Sequence, residues 1–176
     1  MRDIATTVGI NQATLLYHFR DKEELIVALV DDLIERLTSL NEDYAIEPGS
    51  FAAFNAHLRT LGELYASKPE IYVVLNEIGV RALRHAKIAA KLAAVEEDWA
   101  QYIGALLRAA HATDDAEIAA AAHATVVFVR GVGAKAAGDG TLATLMTRGK
   151  GRAAAARRIV LILDTYAGLV RAAFGP

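Results

Sequence analysis

The chain has no cysteine, so neither a disulfide framework nor a thiolate metal site is available to it. That usage suits a reducing cytosol, and the expected location is cytoplasmic. Long hydrophobic runs are missing too. The longest charge-free stretch, Ile4 to Phe19, contains Thr, Gly, Asn and Gln, which is no membrane span. Met1 is followed by Arg2 and Asp3 with no apolar segment, so no secretory signal is read at this end. Catalytic motifs are absent as well. His18, His57, His85, His111 and His123 show no H-E-x-x-H or related ligand spacing, and no G-x-S-x-G, P-loop or G-x-G-x-x-G occurs. The expectation is a protein that is not an enzyme, with no catalytic residues, metal or cofactor.

What is present is apolar and helical. The 176 residues are 54% hydrophobic and 23% charged, ample for a buried core. The net charge of −2 is unevenly spread, because residues 1–47 hold four basic side chains against ten acidic ones. A front end this acidic does not mark nucleic-acid binding on charge alone.

Helical periodicity dominates, and the predicted fold class is all-α. Ile4, Ala5 and Val8 share one face of a short helix that Gly9 can end. Asn11 is a good N-cap for a second helix through about His18. Asp21 caps a third, with Glu24 completing a capping-box-like pair, and Ile26, Leu29, Leu33 and Leu37 make an apolar stripe to about Leu40. NEDYAIEPGS reads as a break, with Ser50 a cap for the next helix. Further helices are expected at 51–67, 69–84, 87–110, from Asp114 or Asp115 to 137, and at 152–174, with GDGTLATLMTRGKG as a loop. The chain therefore divides into residues 1–47 and 48–176.

The segment from Gly9 to Leu25 is the most informative. Two short helices across a tight Gly-containing turn make a helix-turn-helix, whose second helix can enter the DNA major groove. On a helical wheel Leu15 and Phe19 point inward, while Ala13 and Tyr17 point outward, flanked by Gln12, Thr14, Leu16 and His18. Gln12 can read adenine bidentately, the Ala13 methyl can meet a thymine methyl, and Tyr17 can pack on a sugar or reach a phosphate. Lys22 opposes the macrodipole at a helix start, which propensity does not explain, but a phosphate docked there would favour it. Taken alone, Lys22 or His18 reads equally well as a solvated side chain; their joint spacing favours DNA.

RDIATTVGINQATLLYHFRDKEELI resembles the DNA-binding core of the tetracycline-repressor (TetR-type) family of transcriptional regulators. Arg2, Asp3, Ile4, Ala5, Gly9, Thr14, Leu15, His18, Phe19, Lys22, Glu23 and Leu25 match the family pattern. The resemblance implies that Thr14, His18 and Lys22 contact phosphates while Gln12, Ala13 and Tyr17 face bases. Leu16 departs from it, standing where the family usually has a phosphate-binding tyrosine; Tyr17 projects about 100° further round the helix. The resemblance implies a further helix ahead of the position of Arg2; either the true start lies upstream of Met1 or the protein lacks that helix.

The family also implies a C-terminal ligand-binding and dimerisation domain, hence a small-molecule-responsive repressor acting as a homodimer on a palindromic operator in double-stranded DNA. The alternative is a dimeric helical ligand-binding protein that has lost DNA binding with its first helix. The residues support dimerisation separately. Helix 152–174 is apolar nearly all round, with Ile159, Ile162, Leu163, Tyr166, Leu169, Val170 and Ala173 in one broad stripe, and the helix before it has the same character. Two such helices from each subunit would build a four-helix bundle, whereas a monomer would bury both internally. For the effector, Phe54, His57, Tyr65, Tyr72, Trp99, Tyr102 and His123 are the aromatic and polar-tipped candidates for a largely apolar pocket. Any one of them taken singly is more readily explained as core filling. RGKGRAAAARR, with Arg148, Lys150, Arg152, Arg157 and Arg158, looks like a basic patch, but with nothing aromatic interleaved it reads as a solvated loop and helix start.

Overall fold

A computed structural model describes residues 1–43, 51–108, 114–147 and 149–174, which form nine α-helices and no strand among the described residues. They are α1 (Arg2–Val8), α2 (Gln12–His18), α3 (Lys22–Asp43), α4 (Phe51–Ser67), α5 (Glu70–Ala82), α6 (Ala86–Arg108), α7 (Asp115–Gly138), α8 (Thr141–Met146) and α9 (Arg152–Phe174). The protein is all-α, with a helix-turn-helix at the N-terminal end and a helical bundle after it.

Local chemistry sets the first three helices. α1 ends where Gly9 turns left-handed at φ 73°, so that Gly9 N–H reaches Thr6 O (3.2 Å) and Ile10 N–H reaches Ala5 O (3.0 Å). Ala13 N–H donates to Asn11 Oδ1 (2.9 Å), which caps α2. Glu24 N–H donates to Asp21 Oδ1 (2.8 Å), while the Glu24 carboxylate accepts from Arg20 N–H (2.7 Å), one residue earlier than a capping box requires. The apolar face of α3 is also rotated from its expected line. Leu25 and Val30 are buried and Leu29 is 53% exposed, because α3 lays Val30 against Ile78 of α5 and Ile88 of α6. The side chains of Leu37 and Leu40 in the expected stripe, and Ser50 as a cap, lie outside what the structure describes.

The main core sits between α4, α6, α7 and α9, with Phe54, Leu58, Ile103, Leu107, Ile118 and Leu163 almost wholly buried. Small residues let these helices approach closely. A Cβ on Gly62 would stand 3.2 Å from the Val160 Cα of α9, and Gly104 of α6 faces Ile118 and Ala122 of α7. Gly133 of α7 lies directly under the Tyr72 ring of α5, leaving no room for a side chain. Asp114 Oδ1 caps α7 by accepting from Ala116 N–H (3.1 Å). α7 has the length and mean hydropathy (1.2) of a membrane span, but it lies against α6 with Ile118, Val126 and Val129 buried in the bundle.

One element corrects the sequence reading. GDGTLATLMTRGKG contains α8 rather than a continuous loop. Asp139 Oδ1 accepts from Thr141 N–H (3.0 Å) and Thr141 Oγ1–H (2.5 Å), Gly140 turns at φ 77°, and Leu142 and Leu145 bury themselves in the core. Six residues with two buried apolar positions are too short for periodicity to show. The other described boundaries differ from expectation by at most three residues, and the expected end of α6 near residue 110 lies outside the described residues.

Candidate nucleic-acid interface and bundle interior

The helix-turn-helix presents one side of α2 to solvent. Leu15 points into the small core and is 5% exposed, whereas Tyr17 is 85% exposed. Ala13, Thr14, Leu16 and His18 are exposed beside it, and Gln12 is half-buried. The Tyr17 and His18 rings meet edge-on with centroids 5.2 Å apart. Lys22 is exposed at the first residue of α3, so α2 and the start of α3 turn a continuous polar surface outward. Tyr17 crowns this surface. Val8 (60% exposed) and Ile10, on the other hand, add uncovered apolar area to the same small unit.

Two ion pairs fasten this unit to the bundle. Glu23 Oε1 lies 3.0 Å from His85 Nδ1 at the α5–α6 turn, and Asp31 pairs with Lys91 of α6. With the Val30–Ile78–Ile88 contact between them, they fix the first half of α3 to α5 and α6. The sequence reading missed both pairs. The carboxylates and their partners are about 60 residues apart, so no local pattern marks them.

The seven aromatic and histidine candidates divide into separate groups. Trp99 Nε1–H donates to His57 Nε2 (3.0 Å), and Tyr102 meets the same imidazole edge-on at 5.1 Å. Accepting from Trp99 leaves the His57 proton on Nδ1, and burial pushes its pKa down to about 4, so the ring is neutral. Tyr65 and Tyr72 pack ring against ring at 3.7 Å, and burial raises the Tyr65 phenol to about 12. Phe54 is fully buried against Phe51. His123 is exposed on α7, 3.8 Å from Glu97. Near the tyrosines, Arg130 of α7 pairs with Glu96 of α6, and Asn76 Nδ2 is buried with no hydrogen-bond partner among the described residues.

Open space lies elsewhere. A cleft of about 310 Å³ runs between α7, α8 and α9, floored by Val132, Ala136, Ile159 and Ile162. None of the seven candidates lines it. Beside it, Val127 (70%), Leu161 (65%) and Leu169 (65%) expose apolar side chains on α7 and α9, and Phe128 stacks on Tyr166 at 3.9 Å where the two helices meet.

The head therefore has the architecture of a helix-turn-helix DNA-binding protein. Residues 1–29 match the family model described as bacterial regulatory proteins, tetR family. The match covers α1, α2 and the start of α3, the helix-turn-helix head of the chain. No curated protein and no solved structure matches it.

Proposed function

We propose that the chain is a repressor that binds a palindromic operator as a homodimer and releases it in response to a small molecule. The observation that carries the DNA-reading part is the orientation of α2. Leu15 is the buried anchor, while Tyr17 and its neighbours Ala13, Thr14, Leu16 and His18 stand free at the front of the unit. In this reading Gln12, Ala13 and Tyr17 meet base edges, while Thr14, His18 and Lys22 hold phosphates, and Leu16 packs on the sugar backbone. Dimerisation is read from the uncovered apolar side chains Val127, Leu161 and Leu169, which align α7 and α9 of one copy for a four-helix bundle with those of another. Two recognition helices would then meet half-sites about 34–36 Å apart.

Selection from random duplex DNA at two salt concentrations tests the reading, followed by two variants on the enriched site. Lys22→Ala should weaken binding to every sequence and reduce the salt slope by about 0.9 for one lost phosphate contact. Gln12→Ala should alter sequence preference and leave the slope alone. If the two variants behave alike, the assignment of roles is wrong.

The exposure of Val8 and Ile10 favours a second reading, a dimeric ligand-binding protein whose head no longer reads DNA. A folded, dimeric protein that enriches no site in that selection would establish it.

A further inference from the structure

The α7–α8–α9 cleft is polar at one end and apolar along the rest. α7 and α9 run antiparallel here, since Tyr166 Oη lies 3.1 Å from Thr125 Oγ1 while Ile159 shares the cleft with Val132 and Ala136. The end of α7 and the start of α9 therefore fall together, and they bring Lys135, Asp139 and Arg158 to one mouth of the cleft. From that mouth the floor continues through Ala136, Ile159 and Val132 to Phe128 and Ile162 with almost no polar surface.

The charges at the mouth do not cancel. Asp139 accepts from Lys135 Nζ (2.7 Å), from Thr141 Oγ1–H and from Thr141 N–H, and these bonds hold its carboxyl far below the usual range. Arg158 stands 3.6 Å from the same carboxylate, beyond hydrogen-bond distance, with its side chain more than half exposed. Two cations thus face one carboxylate, and the guanidinium keeps its paired donors for another acceptor.

We propose that this cleft is a binding site for a small amphiphile carrying one negative charge, of the class of aliphatic carboxylates. The head would lie on Arg158 with Lys135 beside it, and the chain along Ala136, Ile159 and Val132. The volume lies at the lower end of the range for small-molecule sites, which sets a medium-length chain rather than a polycyclic ligand. As the seat of the effector, the site rests on the reading that a small molecule controls the chain; as a binding site, it does not. Phe128 and Ile162 at its far end border the face proposed for dimerisation, so occupancy and subunit packing are coupled through shared side chains.

Calorimetric titration of the full chain with decanoate, decanol and decyltrimethylammonium, each below its micelle concentration, tests the proposal. Decanoate should bind at least tenfold more tightly than the other two, and its affinity should rise about fourfold per methylene from hexanoate until the cleft is full. Arg158→Glu, a change at an exposed side chain, should remove the preference for the carboxylate by lowering decanoate affinity at least tenfold more than decanol affinity. Ala136→Phe should reduce the affinity for all three; if it fails to fold, Ile162→Gln tests the same floor. Equal binding of decanoate and decanol, or an Arg158→Glu protein that still prefers decanoate, overturns the proposal. Decanoate binding that leaves DNA occupancy unchanged upholds the site and overturns its role as effector site. Operator binding intact with no decanoate bound overturns the site and leaves the DNA reading standing.

Discussion

The head and the bundle keep their folds by different means. α1 and α2 bury little beyond Ala5 and Leu15, and their shape depends on a left-handed glycine and the Asn11 side-chain cap. The bundle draws a continuous core from α4, α6, α7 and α9, whose helix ends matter far less than their faces. A region held by local hydrogen bonds writes its structure into short sequence signals, whereas one held by distant faces does not. The same difference makes the head the less stable region and the one most easily altered by binding.

The largest contrast should come from one substitution made in each region. Leu163→Ala in the core should cost about 2–5 kcal/mol and lower the main thermal transition. Leu15→Ala should cost the head a comparable amount and abolish DNA binding, yet leave that main transition in place. If Leu15→Ala lowers the main transition as far as Leu163→Ala does, the two regions are one cooperative unit.

Next is the buried imidazole. With its pKa near 4 in the fold and about 6.5 unfolded, His57 takes up protons on unfolding between those values. Its contribution is therefore complete above pH 6.5 and is lost as pH falls toward 4, on the order of 3 kcal/mol in all. Urea titrations at pH 7 and pH 5 should show His57→Phe with a smaller loss between the two pH values than the parent. Equal losses would mean that His57 is not held neutral. At the helix contacts, Gly62→Ala should cost about 1–3 kcal/mol, because the new methyl meets the backbone of Val160 as well as the side chain of Leu163. The smallest effect is expected from Asn11→Ala, about 1 kcal/mol, confined to α2 and visible as faster amide exchange at Ala13. Faster exchange throughout the bundle would contradict its local character.

Legibility in the sequence follows the same division. Gly9, Asn11, Asp21 and Asp114 are readable as helix ends because each acts on residues within five positions. Leu15 and Tyr17 are readable as inside and outside because two residues, about 200° of helical rotation, separate core from groove surface. The rotated face of α3 is not, since Leu29 and Val30 are both apolar and only the position of Ile78 and Ile88 decides between them. The bundle interior is harder still. Composition picks out His57, Trp99 and Tyr102, but their meeting depends on the α4–α6 crossing, and the open cleft is lined by aliphatic residues that no motif would flag.

α3 has a mechanical consequence. Its described ties to the bundle, at Glu23, Val30 and Asp31, hold Lys22 beside them, so that the start of α3 moves with α5 and α6 as one piece. Lys22 stands eight residues, or about 12 Å, from Val30. A tilt of that piece by about 10° about Val30 would move Lys22 by about 2 Å, enough to break hydrogen bonds that span about 3 Å. Small rotations in the bundle would therefore arrive at the groove as the difference between a bond made and a bond missed.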